Sequence, residues 1–561
     1  MSSLAEPAAF RNEARQPDRT QGRSIVMSRE GIVAAESPLA AQAGAQILFS
    51  GGHAIDAAIA ANAVMGVLAP HSNGLGGDLF AIVYEASTRR LYGLNASGWS
   101  PAALTIDWLR KRGIEQTTLS GVHSVTIPGV VDGWDKLLRR FGRLQFRDLL
   151  AYAVHYAREG FPVTEWSSQR WSASEGTLRD DPSAVRTFLP DGHAPHRGEI
   201  FRNPDLAKSL EEIAQHGRDA FYRGPIAECI LRCTRRLGAA LEAEDFSEFN
   251  SEWVDPISTE YRGWSVYEIP PNGAGIAALL MLNIMEAFPL RQWGHNHADS
   301  LHLLIEAKKL AYADMLQYVA DPRAARVPMT ELLSKVYAGR RGATIDFRHA
   351  NSGPQPGQLD VPGANTTYLS AVDAEGNLVS LIQSNFALFG AGLVPDGTGF
   401  ALQNRGHLFS LDEKHPNALE GRKRPLHTII PGFMSKGDVR IAFGIMGGWN
   451  QSQAHAQFVS NIVDHDMNIQ SALEAPRFTK PTFAGVDVQM ESRIAAEVRS
   501  ELTQRGHDIE VLGTFSDVVG GGQAVLRDEA QRANWGASDP RKDGAAIPQP
   551  PLLQSGPGSL P

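Results

Sequence analysis

Cysteine is nearly absent. Cys229 and Cys233 are the only two in 561 residues, too few for a disulfide framework or a cysteine-based zinc site. They stand four apart in a stretch, Ile226 to Leu237, that reads as a helix, and are expected to be thiols on its buried face. No block of one charge is present either: 53 Lys and Arg face 62 Asp and Glu, a formal charge of −9 spread along the chain. That balance argues against nucleic acid or an anionic membrane as partner. No apolar run reaches the length of a membrane span. The stretch Met1 to Arg23 carries Arg11, Arg15, Arg19 and Arg23 but lacks the apolar segment of a signal peptide. A cytoplasmic protein with a disordered leader over 1–25 is expected.

Two stretches that invite a ligand lack what the ligand needs. The glycine-rich loop Pro70 to Asp78 has no Lys-Ser/Thr sequel and runs into an apolar strand, Leu79 to Tyr84, instead of a helix. It reads as a packing loop rather than a phosphate cradle. His295 and His297 lie in a polar segment with no carboxylate partner evident, so neither a metal nor a cofactor is expected.

With 43% apolar residues the chain can bury a sizeable core, in one large elaborated domain or two. Val26 to Leu48 shows periodic apolar positions ahead of a helix stop at Ser50-Gly51-Gly52, and Gly51 to Val67 is Ala-rich and apolar on nearly all sides. The latter predicts a helix laid flat on a sheet. Leu104 to Asp245 reads as mostly helical. Trp264 to Ile269 is strand-like, and helices are expected over Ile276 to Phe288 and His297 to Val319. Strands cluster later: Phe389 to Val394, Gly399 to Gln403, Val439 to Ile445. No internal repeat is seen, and helices bunching before strands indicate an α+β layered fold.

One junction organises the rest. Gly353, Pro354, Pro356, Gly357, Pro362 and Gly363 make Asn351 to Ala364 a loop that neither helix nor ladder tolerates. It runs abruptly into Tyr368 to Val372 and Leu378 to Ile382, two short apolar runs flanking the turn-like Asp373-Ala-Glu-Gly-Asn377. A symmetric hairpin sets Thr366 opposite Ser384, two hydroxyls at a chain junction. Further on, Met446-Gly447-Gly448-Trp449 joins a strand to a helix over Ser452 to Asp464. Paired glycines at such a place either expose backbone N–H groups to a reacting oxyanion or merely permit a turn.

These motifs resemble the γ-glutamyltranspeptidase family of N-terminal-nucleophile hydrolases. The resembling segments are Gly51-Gly-His-Ala-Ile-Asp-Ala-Ala, Gly74-Leu-Gly-Gly-Asp, Pro270-Pro-Asn-Gly-Ala-Gly-Ile, Asn365-Thr-Thr-Tyr-Leu-Ser-Ala-Val-Asp, Lys423-Arg-Pro-Leu, Met446-Gly-Gly and Gly536-Ala-Ser-Asp-Pro. The resemblance implies a four-layer αββα sandwich made as one precursor. It implies self-cleavage between Asn365 and Thr366 into a large subunit (26–365) and a small one (366–547) that stay associated, with a disordered tail over 548–561. Thr366 is then the nucleophile, Ser384 the neighbouring hydroxyl, and Gly447 and Gly448 the oxyanion hole.

Departures from the family pattern bear on the substrate. In γ-glutamyl-specific members an arginine and an aspartate hold the glutamyl head. The corresponding positions here carry Ser97 and Leu408, while the two serines after the Arg-Pro-Leu motif are His427 and Thr428. The segment Ser410 to Arg422 is short for the family's lid. These features resemble the branch that includes oxamate amidohydrolase and acylase-type members. Arg405 and His427, with Asn404 and Thr428, become the expected anchors of an acidic acyl group. The expected activity is hydrolysis of a small acidic amide or acyl-amide. Glutathione hydrolysis or γ-glutamyl transfer is the alternative, and a non-catalytic binding descendant a further one.

Overall fold

The computed structural model describes residues 21–354 and 365–551. Among these residues two seven-stranded antiparallel sheets stack face to face, and helices cover both outer faces: the four-layer αββα sandwich of an α+β protein.

In chain order the strands are β1 (Val26–Ser28), β2 (Ile32–Ala35), β3 (Asp78–Glu85), β4 (Arg90–Ala96), β5 (Glu252–Val254), β6 (Ile257–Tyr261), β7 (Trp264–Glu268), β8 (Asn365–Val372), β9 (Leu378–Phe386), β10 (Gly432–Lys436), β11 (Val439–Ile445), β12 (Gly522–Asp528), β13 (Ala533–Ser538) and β14 (Ala545–Pro548). The first sheet runs β14-β2-β8-β9-β3-β4-β5 and the second β1-β13-β12-β11-β10-β7-β6. Helices α1 (Pro38–Phe49), α2 (Ala54–Leu68), α3 (Val130–Phe141) and α4 (Phe146–Glu159) cover the first sheet; α5 (Gly275–Met285), α6 (Ala298–Tyr318) and α7 (Gln451–Val463) cover the second.

Strand alternation explains why the layers stack. Phe80, Ile82 and Tyr84 of β3, Tyr368 and Val372 of β8 and Leu378 and Ile382 of β9 point inward to meet Phe433, Ala442 and Val525 of the second sheet. Their neighbours Leu79, Ala81, Val83, Leu369, Ala371, Val379 and Leu381 point outward onto α2 and its companions. Successive side chains leave a strand on opposite faces, so strands apolar on both faces must be covered twice. The α2 helix can lie flat because it is built largely of alanine, and all its residues but Gly66 are buried. His53 caps it: Nδ1 accepts from Ile55 N–H at 3.1 Å, while His53 N–H donates to Asp56 Oδ2 at 2.8 Å.

Several expectations are corrected. Val26 to Leu48 begins as two strands before α1, because Ile32 to Ala35 is an apolar run buried on both faces, which periodicity cannot tell from helix. Phe389 to Val394 and Gly399 to Gln403 are irregular. Positive φ at Phe389 (54°), Gly390 (56°) and Gly392 (73°) breaks the extended backbone, and two hydrogen bonds, Ala391 N–H to Leu402 O and Leu402 N–H to Leu393 O, remain. Residues 1–20 of the expected leader lie outside the described region, but Gly22 and Arg23 N–H groups donate to Glu474 at 2.6 and 2.9 Å. At the other end Pro548 belongs to β14 and Gln549 N–H donates to Gly31 O, with 552–561 outside the described residues. The breaker-rich loop lies mostly outside them too, from 355 to 364. Cys233 is buried and its thiol pushed up to about 11 by burial, whereas Cys229 is half-buried.

Candidate active site

Thr366 lies near the start of β8, between β2 and β9 at the middle of the first sheet. The hairpin pairs as expected from Val372–Leu378 back to Thr367–Gln383. One residue further the register slips, and Asn365 faces Phe386. The expected Thr366–Ser384 pair is therefore replaced by a bulge, a device that bends a strand and re-aims a side chain. Ser384 instead pairs with Asp78 of β3, and its Oγ accepts from Phe386 N–H at 2.8 Å. Both hydroxyl residues are buried.

The second sheet supplies the other half. β11 ends at Ile445, and Met446, Gly447 and Gly448 lead through a short 3-10 turn into α7. Gly447 sits at φ 125° and Gly448 at φ 57°, conformations that a side chain disfavours. Their N–H groups stand at a helix N-terminus, where the macrodipole favours negative charge. Gln451, the first residue of α7, joins this loop to the nucleophile: its Nε2 donates to Thr366 Oγ1 at 3.4 Å, and its Oε1 accepts from Ile430 N–H at 3.0 Å.

On the same side, Arg405 is fully buried, and no carboxylate among the described residues pairs with it. Nη1 donates to Thr428 Oγ1 at 2.6 Å, while Nε and Nη2 have no hydrogen-bond partner among the described residues. The guanidinium lies 4.6 Å from the centroid of Phe386, the residue facing Asn365 across the ladder. Burial lowers its pKa to about 9 despite the opposing pull of Asp78. His427 is placed differently from an anchoring cation. Its Nε2–H donates to Asp78 Oδ2 at 3.0 Å and its Nδ1 accepts from Ile429 N–H at 3.4 Å. Burial, helped by Arg405, drives its pKa to about 4, so the ring is neutral near pH 7. Asn404 spends its amide on the backbone, accepting from Ala387 N–H and donating to Leu119 O.

Asp78, which sequence reasoning missed, gathers this wall. Oδ1 accepts from Gly98 N–H (2.8 Å) and Gln403 Nε2 (2.7 Å), and Oδ2 from His427. Its signal was its place at the end of Gly74-Leu-Gly-Gly-Asp78. Ser97 faces Asn272, whose Nδ2 donates to its Oγ at 3.1 Å, and Leu408 is buried. The short segment after Phe409 closes on itself through Ser410 and Ala418 and packs on Leu104 and Leu109.

A cleft of about 660 Å³ opens beside Glu375 and Asn377 at the opposite end of the hairpin and holds none of these residues. His302, Glu306 and His507 gather three metal-type ligands. Lys309 already donates to Glu306 at 2.7 Å, and Lys309, Lys480 and Arg505 bear on His507, so cations oppose a divalent ion there. His295 packs on His465, and His297 caps α6.

Residues 40–549 match the family described as gamma-glutamyltranspeptidase. The glutathione hydrolase-like YwrD proenzyme of Bacillus subtilis (strain 168) is 37% identical over 530 residues, covering 94% of this chain and 99% of that protein. The oxamate amidohydrolase proenzyme of Klebsiella pneumoniae is 33% identical over 530 residues, 93% of this chain and 98% of its own. Among solved structures, the cephalosporin acylase from Bacillus halodurans matches with a TM-score of 0.89 and 40% identity, over 97% of this chain and 100% of that one.

Proposed function

This chain belongs to the γ-glutamyltranspeptidase family, and on that premise we propose that it cuts itself between Asn365 and Thr366 and uses Thr366 to hydrolyse a small acidic amide, oxamate-like, or an acyl-amide. Family membership makes it a hydrolytic enzyme of proenzyme type. The finer reading rests on one observation: Arg405, a buried cation with two unpartnered nitrogens, stacks on the residue that faces Asn365. A buried charge costs free energy unless something pairs with it. An incoming carboxylate or polarised carbonyl would do so, with Thr428 beside it, while neutral His427 and Asp78 hold the wall.

Self-cleavage begins when Thr366 Oγ attacks the Asn365 carbonyl carbon. The C–N bond breaks, the acyl group passes to oxygen as an ester, and water releases the Asn365 carboxylate. The freed α-amino group, titrating near 7.7–8.0 in ordinary peptides, is the base that an unassisted hydroxyl lacks. In turnover it takes the Oγ proton as Oγ attacks the substrate carbonyl, and returns it to the leaving amine. Gly447 and Gly448 N–H groups receive the oxyanion, Gln451 holds Oγ, and water hydrolyses the acyl-Thr366 ester.

Intact-mass measurement should show two chains, the small one beginning at Thr366, and Thr366→Ala should leave one uncut, inactive chain. An active enzyme made of a single chain would sink the reading. The second reading, glutathione hydrolysis, draws on the similarity to the glutathione hydrolase-like relative. Assays of γ-glutamyl-p-nitroanilide beside oxamate and glutaryl amides separate the two, and faster release from the γ-glutamyl substrate would overturn the first.

A further inference from the structure

Thr367, the residue after the nucleophile, is buried and its hydroxyl donates to Glu36 Oε2 at 2.7 Å. Glu36 follows β2 and is itself buried; its Oε1 accepts from Lys542 Nζ at 2.8 Å. The same ammonium lies 3.6 Å from Met446 Sδ, one residue before Gly447, and 4.0 Å from the centroid of Trp166. The stem of Lys542 presses on Gly521, where an added Cβ would stand 2.8 Å from its Cγ, and Gly521 O accepts from Met446 N–H. One side chain thus touches both the nucleophile strand, through Glu36, and the oxyanion loop.

We propose that Glu36 and Lys542 are positioning residues, a buried ion pair that pins the new N-terminus of the small subunit against the oxyanion loop once the chain is cut. The inference rests on the reading of Thr366 as nucleophile. Its need follows from the ladder. β2 pairs with β8 only from Leu369 onward, and the β9 pairing is irregular between Asn365 and Thr367. Cutting at Thr366 leaves a strand end of the kind that frays unless tied down, and Thr367 is the first residue with a regular partner. Its hydroxyl gives the end a second tie. Glu36 belongs to the large subunit and Lys542 to the small one, so the pair also spans the cut. The charged groups bearing on Lys542 besides Glu36 are Arg170 and Asp539, and Lys542 in turn lowers the pKa of buried His71. A buried ion pair is a poor source of stability, since desolvation offsets the attraction, which points to position as its use.

The test compares the wild-type enzyme with Lys542→Met, Lys542→Arg and the double variant Glu36→Gln/Lys542→Met, scoring thermal midpoint, kcat and KM on the processed fraction. Lys542→Met should lower both midpoint and kcat. In the double variant, which buries no lone charge, the midpoint should return while kcat stays about 10²-fold down with KM unchanged, the scale of an ångström's misplacement. Lys542→Arg should recover most of kcat. A double variant with wild-type midpoint and wild-type kcat would overturn the proposal. Should the variants not fold, hydrogen exchange on the processed wild-type enzyme decides: amides of the segment after Thr366 should be protected, and free exchange there overturns the idea. N-terminal sequencing of the wild-type small subunit keeps the two claims apart, since a start other than Thr366 defeats the nucleophile assignment whatever the variants do.

Discussion

Replacing Arg405 by Met should separate catalysis from stability, lowering the first without lowering the second. The guanidinium is buried, makes one hydrogen bond, to Thr428, and leaves Nε and Nη2 unpaired. The nearby carboxylate of Asp78 is committed to Gly98, Gln403 and His427. Burial takes the pKa from the usual arginine range to about 9. At about 1.4 kcal/mol per pH unit, holding the charge at this buried position costs several kcal/mol. Arg405 is protonated in both folded and unfolded states between pH 5 and 8, so this penalty does not vary with pH there. Met keeps much of the length, removes the unpaired cation, and leaves Thr428 short of one hydrogen bond worth about 1 kcal/mol. The thermal midpoint should therefore hold or rise. Removing one member of a buried charged contact typically costs about 2–5 kcal/mol. For an acid-headed amide that corresponds to a fall in kcat/KM of roughly 30-fold to several thousand-fold, while a neutral amide should lose far less. Differential scanning fluorimetry and parallel kinetics on the two substrates measure both halves. Equal losses on both substrates, or a marked drop in midpoint, would refute the reasoning and make Arg405 a structural residue.

The remaining expectations are shorter. Gly448→Ala keeps the backbone N–H but strains the turn at φ 57° by about 1 kcal/mol, and re-aiming the donor by about an ångström should lower kcat about 10²-fold; unaltered kcat would remove the loop from the mechanism. Ser384→Ala should slow self-cleavage, followed by the appearance of the small subunit on a gel, and unchanged kinetics would remove its role. Stability should fall as pH drops from 6.5 toward 4. The folded pKa of His427 is about 4, so the unfolded chain binds the extra proton in that window, worth at most about 1.4 kcal/mol per pH unit. His427→Gln should flatten that part of the denaturation profile, and a slope identical to wild type would contradict it.

Much of the site was legible in the sequence because it depends on local chemistry. Glycines able to take positive φ at Gly447 and Gly448, a strand end leading into a helix, and a breaker-rich loop before a hairpin are short-range patterns. The hairpin register could be counted as far as Thr367–Gln383, since a short turn fixes it. The bulge at Thr366 could not, because it arises from what the end of the strand meets: Asn365 set against Phe386, and Gln451 reaching from α7. Phe389 to Val394 looked like a strand for the same reason, its composition carrying no sign of the positive φ imposed around it.

Sequence alone determined the α+β class, through helices bunching before strands, and its motifs in a fixed order carried the resemblance that implied the αββα layering and the candidate nucleophile. Tertiary structure decided how the polar groups are used. His427 and Arg405 both looked like cations to be spent on a substrate, yet one is a neutral ring held by Asp78 and the other a charge with unpaired nitrogens. Asp78, Glu36 and Lys542 came to notice only once distant strands had been brought together. Burial and partner choice set the charge state of a side chain, and both belong to the packed molecule rather than to any stretch of its chain.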